Sequence, residues 1–491
     1  MIIGKKIIGQ GFLMNWLNKH LSFKADLMVT LLNGLVVVGG VFILNGLIAR
    51  IHGLEYLGEF LLIKRTLSAI VGILLIGINI GLPYYLSRNF QKSYGDISLI
   101  LFIIVTIPLT VILIVSILWL DITGFYSEHF WVYIVFSLSI SAQFITYALY
   151  RGYMNMIGAN IFQLLGTAII PIIVFTIVID LYEGLFWIGS CVLIMMIFAF
   201  ILRNKGLNIH EINFHQSKKI VKYGLERIPS FFAQFILLAG VPLFLAQTVN
   251  FESVAYFNSS LSLVRLSLIL VNPLGMVLLP RISNRIASGP MDDVANFLNI
   301  FLKAGIVFSV IGTAYCYINA PFILSFWLGE VSDAGITILR LTILALPFYT
   351  FSGLTRSPID AVSEKGYNSL IYGLAAVVLI TIIFIGKTLG FDLLTTALVS
   401  FLISHIVAGL LSAFFIQRFY HSKLWNFQLI RDVVIGTLII YLISHLFSLL
   451  NISAVTQFIT TSVIYIIVGI IIFKFVKTGW LAELKSKLYA S

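Results

Sequence analysis

The chain has 491 residues, of which 60% are hydrophobic and only 10% charged, with a mean hydropathy of +1.05. No soluble core accommodates that much apolar surface, so the composition excludes a water-soluble globular protein and points to an all-α polytopic membrane protein. The formal net charge of +11 follows from lysines and arginines placed in loops and does not signal a nucleic-acid partner.

Residues 1–26 carry Lys5, Lys6, Asn15, Asn18, Lys19 and His20 within apolar stretches and lack a small-residue cleavage site. They read as a cytoplasmic or interfacial amphipathic segment anchored by Trp16, not as a signal peptide. A helix needs about 20 apolar residues to cross a bilayer. Fourteen segments meet that criterion, near 27–49, 61–82, 97–120, 130–150, 161–179, 184–202, 227–249, 254–280, 301–320, 336–356, 367–386, 394–416, 432–449 and 455–475. The spans divide into a six-helix bundle at 27–202, a basic cytoplasmic linker at 203–226, a second six-helix bundle at 227–417, and a closing part at 418–491 with helices 13 and 14 and a cytoplasmic tail. Pro108, Pro171, Pro242, Pro273 and Pro347 fall inside spans and predict bends. Cys191 and Cys316 both fall in spans, where buried free thiols are expected.

Most of the 31 basic residues fall in connections that share one side if the N-terminus is cytoplasmic, whereas acids such as Asp121, Glu128, Asp180, Glu183, Glu252, Asp333 and Asp392 fall on the other. The bias of lysine and arginine toward the cytoplasm then places both termini inside. Sliding the second half back onto the first aligns Phe60 with Phe257, Pro83 with Pro280 and Arg88 with Arg285. Six spans per half make the repeats parallel, with a pseudo-twofold axis along the membrane normal and a substrate site expected between the halves.

Five basic residues remain in or at the ends of apolar runs: Lys64, Arg65, Arg227, Arg265 and Arg340. A mid-bilayer arginine costs about 2.5–3.5 kcal/mol on insertion scales, so it persists where a cavity or partner solvates it. Several such cations imply an anionic ligand, and arginine suits a pyrophosphate because its planar fork donates two parallel hydrogen bonds. Arg265, mid-span with no carboxylate nearby in sequence, ranks first, against a structural ion pair as the alternative. Arg65 and Lys64 follow, against snorkelling to the interface. Arg227 sits beside Glu226, so a gate or a local salt bridge fits it equally. Arg340 reads mainly as an interfacial anchor, and Arg50 as a guard of the outer mouth. Asn33 and Asn258 are candidate sugar ligands, with interhelical hydrogen bonding as the plainer role. No phosphate-binding loop, metal-ligand spacing or nucleophile constellation is present, so no cofactor, metal site or catalytic residue is expected.

Three stretches carry a family resemblance: RIHGLEYLGEF at Arg50 to Phe60 with GLPYYLSR at Gly81 to Arg88, YGLERIPSFF at Tyr223 to Phe232, and AYFNSSLSLVRLSLILVNPLGMVLLPRIS at Ala255 to Ser283. In this order and spacing the chain resembles the polysaccharide (Wzx-type) flippases of the multidrug/oligosaccharidyl-lipid/polysaccharide (MOP) exporter superfamily. The resemblance implies a MATE-like fold of two six-helix bundles plus two C-terminal helices, in a bacterial inner membrane. It implies transport, not catalysis: an undecaprenyl-pyrophosphate-linked oligosaccharide such as an O-antigen unit crosses by alternating access, with H+ or Na+ as a candidate coupling ion. Polysaccharide polymerase and chain-length machinery are the implied partners. A peptidoglycan or teichoic-type precursor stands as the alternative cargo, a cation-coupled drug exporter as a more remote one, and a membrane glycosyltransferase as the reading from another class.

Overall fold

The computed structural model describes residues 23–89, 92–120, 125–204, 214–225, 228–267, 291–329, 331–362, 366–420, 427–449 and 453–477. All regular structure among them is helical. The chain separates into two compact units, Met1–Ala239 and Gly240–Ser491.

The first unit contains α1 (Phe23–His52), α2 (Leu54–Leu74), α3 (Ile78–Asn89), α4 (Ser93–Leu120), α5 (Phe130–Gly152), α6 (Met156–Ile177), α7 (Leu181–Asn204) and α8 (Phe214–Leu225), and the division falls within α9 (Ile228–Thr248). α5 is the hub, packing against α7, α3, α6, α2 and α4. Small residues allow this approach: a Cβ on Gly152 would meet Leu86 of α3 at 2.8 Å, and one on Gly189 would meet the Phe136 backbone at 3.2 Å.

The expected continuous span at 61–82 is instead two helices. α2 closes on itself at Ile76 (φ 47) and Gly77 (φ 69), with Gly77 N–H donating to Gly72 O at 3.3 Å and Ile76 N–H to Ile73 O at 3.0 Å. These crossed bonds are a Schellman ending, in which a left-handed residue reverses the chain and satisfies helix-end carbonyls. Within a bilayer every freed carbonyl needs a partner, and Leu74 O finds one in the Thr106 hydroxyl of α4 at 3.2 Å.

Two expected proline bends take the form of π-helical turns. Phe102–Thr106 precedes Pro108 in α4, and Leu165–Ile169 precedes Pro171 in α6. Proline lacks an N–H and its ring clashes with the carbonyl four residues back; a wider turn relieves both.

The second unit contains α10 (251–267), α11 (Met291–Ile318), α12 (Ala320–Leu328), α13 (Asp333–Ile343), α14 (Leu346–Val362), α15 (Tyr367–Thr388), α16 (Leu393–Tyr420), α17 (Phe427–Leu449) and α18 (Ala454–Lys477). α16 packs on α14 and α15, and α11 packs on α14, α17 and α18. α18 is fastened to α11 by Tyr315 OH with Ser462 Oγ at 2.6 Å and Tyr465 OH to Phe308 O at 3.3 Å, and to Asn319, between α11 and α12, by Thr461 Oγ1 to Asn319 Oδ1 at 3.3 Å. A turn at residues 344–345 separates α13 from α14 one step before Pro347.

Ten helices among the described residues are long and apolar enough to cross a membrane: Met28–His52, Ser93–Leu120, Ser127–Gly152, Met156–Ile177, Leu181–Asn204, Ile228–Thr248, Phe301–Ile318, Asp333–Ile359, Tyr367–Thr388 and Leu393–Tyr420. Of the other four expected spans, one is the broken α2–α3 pair. Another, 254–280, leaves the described residues after 267, and α17 and α18 have the shorter apolar stretches Val434–Ile443 and Val455–Gly469. Both cysteines are free as expected, but Cys191 is exposed on α7 instead of buried, since an apolar surrounding makes no demand that a thiol turn inward.

Candidate functional site

Connections assigned to the same side by charge meet at the same end of each unit. In the first unit the end formed by residues 50–60, 125–129 and 178–183 is acidic and aromatic. Tyr182 donates to Glu59 Oε1, stacks on His129 with centroids 3.4 Å apart, and lies edge-on to Tyr126. His52 donates from Nε2 to Phe175 O at 3.1 Å and stacks on Tyr56. Asp180 Oδ1 accepts from Glu183 N–H at 2.7 Å and so caps α7. Tyr56, Glu59, Asp180, Tyr182 and Glu183 line an open pocket of about 760 Å³ here. Arg50 is exposed at the same end, in the last turn of α1.

At the opposite end Asn204 Nδ2 donates to Asp96 Oδ1 at 2.7 Å, joining the end of α7 to the start of α4. Arg203 stands over the Tyr153 ring at 4.5 Å and Arg151 over Tyr147 at 5.5 Å. Burial, only partly opposed by the Arg203 charge, raises the Tyr153 hydroxyl above its ordinary value. Asp96 is fully buried. Neither Asp96 nor Glu59 is among the expected site residues; the signal the sequence carries for them is a carboxylate within two turns of an apolar run.

Lys64 and Arg65 are not at the start of their helix. α2 begins at Leu54, ten residues earlier, so at 1.5 Å per residue they lie about 15 Å along it, close to half a hydrocarbon core. Lys64 Nζ stands over the Phe60 ring at 5.3 Å, a cation–π contact that shields a charge from apolar surroundings. Both residues are half-buried. Phe60 and Phe257, which the sequence register aligns, each lie edge-on to another helix of their own unit, against Phe175 at 5.1 Å and Phe401 at 5.2 Å.

Arg265 is exposed on α10, whose residues 253–261 are all buried. Nine consecutive buried residues mean that this helix is enclosed along its first half, and Arg265 emerges on its second. Asn258 is fully buried in the enclosed part. Arg340 Nε donates to Tyr317 O at 3.3 Å, and its guanidinium lies over the Tyr317 ring at 5.1 Å. Asn33 Nδ2 donates to Gln163 Oε1 at 3.3 Å, and Gln143 Nε2 reaches Gln163 O and Thr167 Oγ1, so this polar chain links α1, α5 and α6. Arg227 lies outside the described residues. Among the described residues no three His, Cys, Asp or Glu side chains gather in a metal-holding group. His405, buried in α16, donates from Nδ1 to Phe401 O at 2.9 Å.

No protein-family model matches the chain, and no curated protein matches it in sequence. Solved structures do. A lipid II flippase MurJ in an inward closed conformation superposes with a TM-score of 0.64 at 16% identity, over 92% of this chain and 98% of that one. An inward-facing multidrug resistance MATE family transporter of the MOP superfamily gives 0.62 at 16%, over 80% and 96%. The bent form of the Vibrio cholerae MATE transporter VcmN gives 0.56 at 14%, over 83% and 98%. With this coverage and many apolar helices, the chain is a multi-pass membrane protein with the all-helical fold that these MOP transporters share.

Proposed function

We propose that the protein is a Wzx-type flippase that carries undecaprenyl-pyrophosphate-linked oligosaccharide units, such as O-antigen repeats, from the cytoplasmic to the outer leaflet by alternating access. The carrying observation is Arg265, an exposed cation one turn beyond the nine consecutive buried residues 253–261 of α10. An exposed guanidinium at that depth is stable in a wet, basic cavity, and its fork matches a pyrophosphate. Lys64 and Arg65, about 15 Å along α2, add positive charge in the other unit. The lipid tail needs no such cavity and stays in the bilayer. The full-length likeness to a lipid II flippase supports a lipid-linked cargo. The setting in this reading is a bacterial inner membrane with both termini cytoplasmic, an H+ or Na+ gradient as the coupling source, and polymerase and chain-length machinery receiving the product.

The same likeness makes a peptidoglycan precursor the second reading. Vesicles carrying the protein, loaded with either a short undecaprenyl-pyrophosphate oligosaccharide or lipid II, separate the two when leaflet exchange is measured. The proposal expects exchange of the first lipid and at least a tenfold slower rate for Arg265→Ala. Exchange of lipid II alone moves the assignment to the second reading, and no exchange of either lipid, or an unimpaired variant, overturns the mechanism.

A further inference from the structure

The amphipathic helix α8 (Phe214–Leu225) packs against α3 and the first turns of α4, at the basic end of the first unit. Ile220 is fully buried, whereas Lys218, Lys219 and Lys222 are exposed. At 100° per residue the three lysines share one arc of the helix, and Ile220 lies on the opposite side. Leu225, 49% exposed, follows Lys222 by three positions and extends the same surface with an apolar tip. The arginines nearby are engaged, Arg151 over Tyr147 and Arg203 over Tyr150 and Tyr153. None of the three lysines has a carboxylate or aromatic partner among the described residues.

We propose that α8 is a docking element for anionic phospholipid headgroups of the adjoining leaflet. Three strongly hydrated ammonium groups in one arc, with an apolar side chain beside them and the opposite side clamped to the bundle, are the arrangement of an interfacial helix that reads surface charge. Each lysine near an anionic surface strengthens attraction by about fivefold, so the arc together gives about a hundredfold. The negative leaflet is complementary to this arc and, unlike a soluble acidic partner, is held against it wherever the protein resides. Because α8 rests on α3, the far half of the broken helix, captured headgroups brace that half from outside. The inference is independent of the cargo.

The test uses the full-length protein in detergent, titrated with phosphatidylglycerol, with bound lipid followed by native mass spectrometry. A photo-crosslinking phosphatidylglycerol, followed by peptide mapping, locates the contact. The proposal expects crosslinks on α8, at least tenfold more lipid needed for equal occupancy by the Lys218→Gln, Lys219→Gln, Lys222→Gln triple variant, and retention by the corresponding arginine triple. It also expects loss of the wild-type preference over phosphatidylcholine near 1 M salt, where screening acts within about 3 Å. Equal binding by the glutamine triple, crosslinks elsewhere only, or equal retention of phosphatidylcholine would overturn it. Displacement of the lipid by an equal concentration of inorganic phosphate would overturn the lipid assignment.

Discussion

Gly95 is a glycine because Asn204 stands where its Cβ would be. Any side chain there displaces the Asn204 amide that donates to buried Asp96, and a carboxylate stripped of its donor inside a bundle is costly. Gly95→Ala is expected to destabilise the protein by about 1–3 kcal/mol. Gly39→Ala, where a Cβ meets nothing within 4 Å, is the control expected to be neutral or slightly stabilising. Thermal unfolding of both in one detergent checks the contrast. Asp392 is a second residue with a readable consequence. Its Oδ2 accepts the Thr395 N–H at 2.8 Å, and bonds from the Thr395 side chain and backbone hold its pKa below the ordinary 3.8. A depressed folded-state pKa adds stability above the unfolded value and loses it as pH falls through the folded one. Stability is therefore expected to drop faster below about pH 4 in wild type than in Asp392→Asn, which caps without titrating. The site is exposed, so the increment is small. Parallel acid unfolding curves for the two proteins would refute the assignment.

At the scale of elements, the break between α2 and α3 rests on Gly77 at φ 69 and on the Thr106 bond to Leu74 O. Gly77→Ala is expected to cost about 1 kcal/mol for the left-handed conformation. Thr106→Val leaves a carbonyl unsatisfied at a cost of about 1–3 kcal/mol. Unfolding midpoints of the two single variants and the double test whether both act on one hinge: shared action gives less than additive loss. Hydrophobic runs revealed most helices, because span length and polar connections are written directly in composition. They did not reveal this break, since Ile76 and Gly77 sit within an unbroken apolar run and the reversal depends on a backbone angle. Pro108 and Pro171 were legible as bends, but the π turns that absorb them depend on packing. The candidate site was legible as residue types: the rarity of Lys64, Arg65 and Arg265 inside apolar sequence marks them. What Glu59 and Asp96 contribute depends on Tyr182 and Asn204, partners more than 100 positions away, which no local pattern encodes.

Across the whole molecule, charge and contact give one account of sidedness. Tyr182, Glu59, His129 and Tyr126 come from three connections distant in sequence yet meet at one end, whereas Asp96, Asn204, Arg203 and Arg151 lie at the other. The second unit repeats this. Ser332 Oγ donates to Glu252 Oε1 at 3.3 Å, and Tyr420 OH to Pro358 O at 2.9 Å, each joining connections that the charge pattern assigns to a shared side. Contacts group the connections without saying which group faces the cytoplasm, and the positive-inside bias supplies that direction. With Cys191 and Cys316 replaced by alanine, a single cysteine at Glu128, which is 76% exposed, is expected to react with a membrane-impermeant maleimide in intact cells. One at Lys219 is expected to react only after permeabilisation. The reverse result would invert the orientation and with it the direction of transport proposed here. Labelling of both from one side would contradict the grouping itself, because no packing of the first unit puts Glu128 beside α8 while Tyr182 still holds Glu59 and Asn204 still holds Asp96.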